Sequence, residues 1–158
     1  MSEEHLLEHV ADKVATITLN RPDALNAVTR DMLKGLYEKV ERLAEDPSVG
    51  AIVFTGAGRA FCSGGDVKNM AAGKNDEEPL DVRAKTLRAR MEVSRLIHEI
   101  PKPTIAMVRG AAAGAGMSIA LACDLRVVSE NARIITAFAK VGLSGDFGGS
   151  WFLTQLVG

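Results

Sequence analysis

Cysteine is almost absent from this chain: Cys62 and Cys123 stand far apart, with no CxxC and no histidine at ligand spacing. That excludes a disulfide framework and a zinc site, and both residues read as small buried hydrophobes. Charge of one sign is also missing. Nineteen Lys and Arg balance 20 Asp and Glu, for a formal net charge of −1, so nothing recruits phosphate backbones or anionic lipids, and nucleic acid and membrane surfaces drop as partners. Long hydrophobic runs are lacking too. The opening MSEEHLLEHV has neither the basic start nor the apolar centre of a secretory signal, and no segment reaches the roughly 20 apolar residues of a membrane span. A cytoplasmic or other reducing location is the expectation.

What remains is a foldable composition, 47% apolar and 25% charged over 158 residues, the length of one domain of about 100–200 residues. Residues 14–19 (VATITL) alternate like a half-buried strand and end in the turn Asn20-Arg21-Pro22-Asp23. Thr29 is placed to cap a helix whose apolar face is Met32, Leu33, Leu36, Val40, Leu43 and Ala44, stopped by Asp46-Pro47. Residues 51–54 (AIVF) form a continuous apolar run, as in a strand of a parallel sheet covered on both faces. Residues 70–79 are polar and locally acidic, and read as a surface loop. A long helix from Leu80 must end before Pro101, with Ala84, Leu87, Met91, Ser94 and Ile97 expected in the core. Strands are predicted over 104–108, 124–128 and 134–136, and helices over 117–122 and 148–156. The alternation predicts an α/β fold with right-handed crossovers.

Two glycine-rich turns follow apolar strands. One is Gly56-Ala57-Gly58-Arg59-Ala60-Phe61-Cys62-Ser63-Gly64-Gly65-Asp66, the other Gly110-Ala111-Ala112-Ala113-Gly114-Ala115-Gly116. Ligands in α/β sheets bind beyond the carboxyl ends of strands, and glycine lets a ligand approach main-chain N–H groups. Phe61 occupies the place of the third glycine of a dinucleotide fingerprint, and no G-K-[ST] phosphate loop occurs. A pair of amide-donating turns remains, each leading to a helix N-terminus, which is how an oxyanion hole is built.

Asn20-Arg21-Pro22-x-Ala24-Leu25-Asn26-Ala27, the first glycine turn through Val67, Pro101 to Ala106, and Gly110 to Asp124 together resemble the crotonase, or enoyl-CoA hydratase/isomerase, superfamily. The resemblance implies a ββα superhelix, an acyl-CoA thioester substrate with no separate cofactor, and an enolate-like intermediate. It places the two enolate-holding N–H groups on Gly65 and Ala115, and the CoA against Ala24, Leu25, Ala60, Cys62 and Gly64. Asp66 falls in the same group, although it reads first as a helix cap. Members of the family are trimers or dimers of trimers, and continue into a C-terminal helical segment beyond the position matching Gly158. Residues 1–158 are therefore expected to be the N-terminal core of a larger domain, unstable alone or bound to another chain because apolar surface is left uncovered.

Departures from the pattern narrow the chemistry. The two glutamates of the hydratases fall on Ser118 and Phe138, so the usual pair that activates water is missing. Instead, Asp146-Phe147-Gly148-Gly149-Ser150-Trp151 resembles the isomerase branch, in which an Asp precedes x-G-G-[ST]-W. Asp146 is the expected proton shuttle, its pKa raised by Phe138, Phe147 and Trp151, with a helix cap as the simpler reading. Two alternatives stay open, a hydratase with atypical residues and a non-catalytic CoA-binding scaffold. A serine hydrolase using Ser63 or Ser118 is disfavoured, because His5, His9 and His98 sit on a tail or a helix. Arg59 and Lys68 flank the first turn and are candidates for CoA phosphates or plain surface charges.

Overall fold

The computed structural model describes residues 5–66 and 78–158. Its main sheet has the strand order β1-β2-β3-β4-β6, from β1 (Leu6–Ala11), β2 (Val14–Leu19), β3 (Ala51–Gly56), β4 (Thr104–Val108) and β6 (Leu125–Val128). Pairing is parallel from β2 onwards, and β1 folds back antiparallel on β2 with Leu6 opposite Leu19. A small second sheet pairs β5 (Ala111–Ala113) with β7 (Arg133–Ile135) in parallel. Two parallel bridges, Cys62 to Ala112 and Val28 to Gly65, carry this layer back towards the N-terminus.

The helices are α1 (Arg30–Glu45), α2 (Leu80–Glu99), α3 (Ala115–Ala122) and α4 (Gly149–Val157). The chain therefore repeats one motif four times: a strand in the main sheet, a strand or bridge in the second layer, then a helix. The successive turns are β2–Val28–α1, β3–Cys62/Gly65–α2, β4–β5–α3 and β6–β7–α4. Each crossover passes through a second layer, as the ββα superhelix implied by the resemblance requires; of that layer, local sequence pattern alone marked only β7.

Local chemistry accounts for the elements. Thr29 accepts the Met32 N–H at 3.2 Å and caps α1, whose Met32, Leu33, Leu36, Val40 and Leu43 are all buried. Burying side chains of this size contributes about 1.5–3 kcal/mol each. α3 is AGMSIALA, apolar all round and buried at every residue, so it is the central helix on which α2 and α4 pack. The Asp124 carboxylate accepts the Thr104 N–H and hydroxyl, both at 2.8 Å, and ties the end of α3 to the start of β4.

Three expectations change. His9 lies in β1, not on a tail, and Glu8 of that strand is paired with Lys39 and Arg42 of α1. A short strand interrupted by two adjacent polar residues, Glu8 and His9, shows no alternation and reads as a solvated terminus. On α2 only Val93, Ser94 and Ile97 are buried, whereas Leu80 and Leu87 are exposed. The stripe is therefore core only from Met91 onwards, through Ser94 and Ile97; Ala84 and Leu87, nearer the start of the helix, are exposed. The expected surface loop over 70–79 falls, up to residue 77, outside the described residues. No helix among the described residues is long and apolar enough to cross a membrane.

Packing is tight where α3 begins. A Cβ on Gly116 would lie 2.6 Å from Cys62 Cβ and 2.7 Å from its Sγ. Gly116→Ala should therefore destabilise the fold by about 1–3 kcal/mol or more, read as a lowered urea midpoint; an unchanged midpoint would show that α3 can shift freely.

Candidate active site

The site is assembled where the second layer hands over to helices. Residues 61–66 run between two neighbours. On one side the Phe61 and Cys62 N–H groups donate to Ala111 O at 3.0 Å and Ala113 N–H donates to Cys62 O at 2.9 Å. On the other, Val28 N–H donates to Gly64 O at 2.8 Å and Asp66 N–H to Val28 O at 3.2 Å. In a parallel bridge the residue opposite the bonded one turns its own N–H away. Gly65 N–H thus faces away from Val28, on the side where the second glycine turn lies.

That turn is in contact. Gly64 (φ +103°) packs so closely that a Cβ there would lie 2.9 Å from Ala113 O and 3.6 Å from Ala115 N. Gly114, with φ 51° and ψ −123°, makes the reversal that starts α3, a conformation a Cβ strongly disfavours. Ala115 is the first helical residue, where an N–H has no intrahelical acceptor. Among the described residues, no acceptor is bonded to the Gly65 or the Ala115 N–H. The two turns thus bring two unspent amides to adjoining backbone, one of them at the positive end of a helix.

A third segment steadies this pair. Leu25 (φ 50°) and Asn26 (φ 56°) are both left-handed. Asn26, fully buried, donates to Ala57 O and Ala60 O at 2.8 Å each and accepts the Arg21 N–H at 2.8 Å. Arg21 also donates to Ala27 O and pairs with Asp66 at 3.0 Å. The Asn20 to Ala27 turn is therefore a brace for the first glycine turn, and it seats Ala24 and Leu25 beside Ser63, whose N–H donates to Leu25 O at 2.9 Å. Asp66 is an ion-pair partner; the helix it was expected to cap falls outside the described residues, as does Lys68. Sequence inspection assigned no role to Asn26 or Arg21, and an Asn five residues after an Arg in a turn is the signal that was there to read.

Not every candidate exposes a group. Ala60 and Cys62 are buried, the Ala60 carbonyl is spent on Asn26, and both backbone groups of Cys62 are bonded to the β5 segment. Burial pushes the Cys62 thiol up to about 11, so it is a packing residue, not a nucleophile. Neither serine is paired with a histidine: Ser63 Oγ donates to Ala24 O and Ser118 Oγ to main-chain carbonyls. His98 meets Trp151 and Phe152 edge-on, with ring centroids 5.5 and 5.2 Å away. Arg59 is exposed.

Asp146 precedes α4. Its carboxyl is partly buried, and that desolvation holds its pKa above the ordinary carboxylate value, against an opposing contribution from its own N–H. It is not the cap of α4: the cap is Gly148, with no side-chain bond. Phe147 beside it is buried in spite of a left-handed φ of 49°. Trp151, expected to help desolvate Asp146, is 54% exposed and lies instead with His98 and Phe152 along a groove between α2 and α4. Among the described residues, no group of three potential metal ligands occurs.

The comparisons with known proteins agree with this architecture. Residues 9–158 match the family model described as enoyl-CoA hydratase/isomerase. The chain is 36% identical to the 1,2-epoxyphenylacetyl-CoA isomerase of Escherichia coli over 155 residues, which is 98% of this chain and 59% of that protein. It is 37% identical to the short-chain-enoyl-CoA hydratase of Clostridium acetobutylicum, covering 92% of this chain and 54% of that one. A Thermobifida fusca structure in complex with acetoacetyl-CoA superposes with a TM-score of 0.86 at 33% identity, over 98% of this chain and 62% of its own. The chain spans a little over half the length of the curated relatives it matches, and its fold is the crotonase-like superhelix. By sequence and fold alike, it belongs to the enoyl-CoA hydratase/isomerase family.

Proposed function

We propose that the protein moves a double bond within an acyl-CoA thioester, holding the thioester oxygen on the Gly65 and Ala115 N–H groups and shuttling the proton on Asp146. The observation that carries this reading is the partly buried, uncapped Asp146 carboxyl, raised in pKa by desolvation, in a chain with Ser118 and Phe138 at the two hydratase carboxylate positions. On a 3-enoyl thioester, the Asp146 carboxylate takes a proton from C2, and the electron pair delocalises into a dienolate with its charge on the thioester oxygen. Two fixed amides stabilise that charge where it develops. The carboxylic acid then returns the proton to C4, leaving a 2-enoyl thioester and the original carboxylate. One group suffices because nothing is added, and a raised pKa suits a group that must both accept and give.

CoA in this reading lies along the brace and the first glycine turn, at Ala24, Leu25, Gly64 and Asp66, over the buried Ala60 and Cys62 that shape the turn from beneath. The complex of the Thermobifida fusca relative with acetoacetyl-CoA supports a thioester ligand. The assembly we propose is a homotrimer or a dimer of trimers, which would cover exposed Leu125, Val127 and Val128 of β6 and Ile134 of β7. Hydration is the second reading, favoured by the name of the Clostridium acetobutylicum relative.

Full-length protein assayed on 3-hexenoyl-CoA and crotonyl-CoA separates the two: isomerisation of the first without hydration of the second is expected, and the reverse would overturn the proposal. Asp146→Ala should abolish isomerisation, whereas wild-type rates would remove Asp146 from the mechanism. Ala115→Pro deletes one oxyanion donor at a helix position that tolerates proline. It should lower kcat by about 10²–10³-fold in a protein that still binds CoA by calorimetry. Asp146→Asn should raise the melting temperature at neutral pH. With its folded pKa raised, Asp146 favours the folded state only when protonated, and that contribution is lost as pH climbs through the folded value. The gain should therefore vanish below the unfolded carboxylate range, and a melting temperature lowered at pH 7 would contradict the desolvation.

A further inference from the structure

Ser118 stands where the hydratases carry a glutamate, and it is fully buried on α3. Its hydroxyl has one proton to give and two carbonyls within reach, Gly114 O at 3.3 Å and Asp146 O at 3.0 Å. The shorter contact reaches out of the helix to another turn of the superhelix, 28 residues on. The same Asp146 carbonyl accepts the Gly149 N–H at 2.8 Å. Gly149 is what lets the hydroxyl in: a Cβ there would collide with Ser118 Oγ and lie 3.3 Å from the Met117 methyl. Between the two bonds the chain makes a left-handed pair, Phe147 at φ 49° and Gly148 at φ 72°. A bulky residue holds such a φ only where its surroundings impose it.

We propose that Ser118 is a positioning residue: its hydroxyl, bonded to the Asp146 carbonyl, fixes the strained turn that presents the Asp146 carboxyl against the helix whose first N–H, at Ala115, receives the thioester oxygen. The proposal rests on the reading of Asp146 as the base. Ser118 lies one helical turn from Ala115, so a bond from it to the Asp146 turn sets the separation of proton shuttle and oxyanion donor in one step. Ordinary back-bonding of a helical serine serves only its own helix; this one spans two segments. Neither α3 nor α4 carries an ionisable side chain; exposed Lys140 stands in the turn before α4, and Arg88, Glu92, Arg95, His98 and Glu99 of α2 line the groove that Phe147 and Gly148 share. Burial of the carboxyl, and none of these charges, is what raises its pKa, so the protonation of Asp146 reports mainly how deeply its turn is seated.

The test uses full-length protein with Ser118→Ala, Ser118→Cys, which keeps the shape but donates weakly, and Ser118→Thr, which keeps the hydroxyl. The Asp146 carboxyl is titrated by carbon-13 NMR without substrate, its signal assigned by loss in Asp146→Asn. The Ala and Cys variants should bring its midpoint down towards the ordinary carboxylate value, and Thr should hold it near wild type. On 3-hexenoyl-CoA, Ala and Cys should lower kcat on the order of 10- to 100-fold with KM unchanged, and the acidic limb of the pH–rate profile should move with the titration. An unmoved midpoint in folded Ser118→Cys would overturn the proposal, as would equal losses in Cys and Thr. Failure of the base reading looks different: Asp146→Asn would still isomerise 3-hexenoyl-CoA, while the titration alone decides whether Ser118 seats the carboxyl.

Discussion

The close approach of two backbone turns, Gly64 against Ala113 to Ala115, is the constraint on which the rest of the structure depends. Side chains cannot enter there, so Gly64 and Gly116 are steric requirements and Gly114 is required by its backbone angles, while Asn26 braces the first turn from its other side. Holding two amides unbonded and side by side costs the fold the hydrogen bonds they do not make. That cost is offset by α1 and the main sheet, whose aliphatic side chains are buried together in one core. Stability is thus generated at one end of each superhelical turn and expended at the other.

Much of this was legible in the sequence where it depends on periodicity. The apolar face of α1 came out residue by residue, and the apolar runs of β3 and β4 marked parallel strands, although residues alternate there between fully buried and half-buried instead of being covered equally on both faces. Of the second layer, periodicity marked only β7, and the family resemblance implied the rest. β5 is three alanines and the Val28, Cys62 and Gly65 positions are single bridges, too short for a period of two to register. β1 escaped because adjacent Glu8 and His9 break its alternation, and Glu8 finds its partners on α1 only in three dimensions.

Spacing brought Gly65, Ala115 and Asp146 forward as candidates through a family resemblance. What it did not contain was the wiring between them. Arg21 to Asp66, Asn26 to Ala60 and Ser118 to Asp146 each join residues well apart along the chain, and no local pattern encodes such pairs. Trp151 is half exposed and meets His98 and Phe152 edge-on, a grouping with α2 that its nearness in sequence to Asp146 did not suggest.

The snug fit of Gly149 on Ser118 also bears on how chemistry changes within this architecture. A carboxylate introduced at position 118 would enter a sealed space and face the Asp146 carbonyl, two acceptors with no proton between them. Room for it requires the fourth superhelical turn to withdraw, which carries the Asp146 turn away with it. A change of residue at 118 therefore has to move both segments together, and the two glycine turns formed earlier in the superhelix can stay as they are.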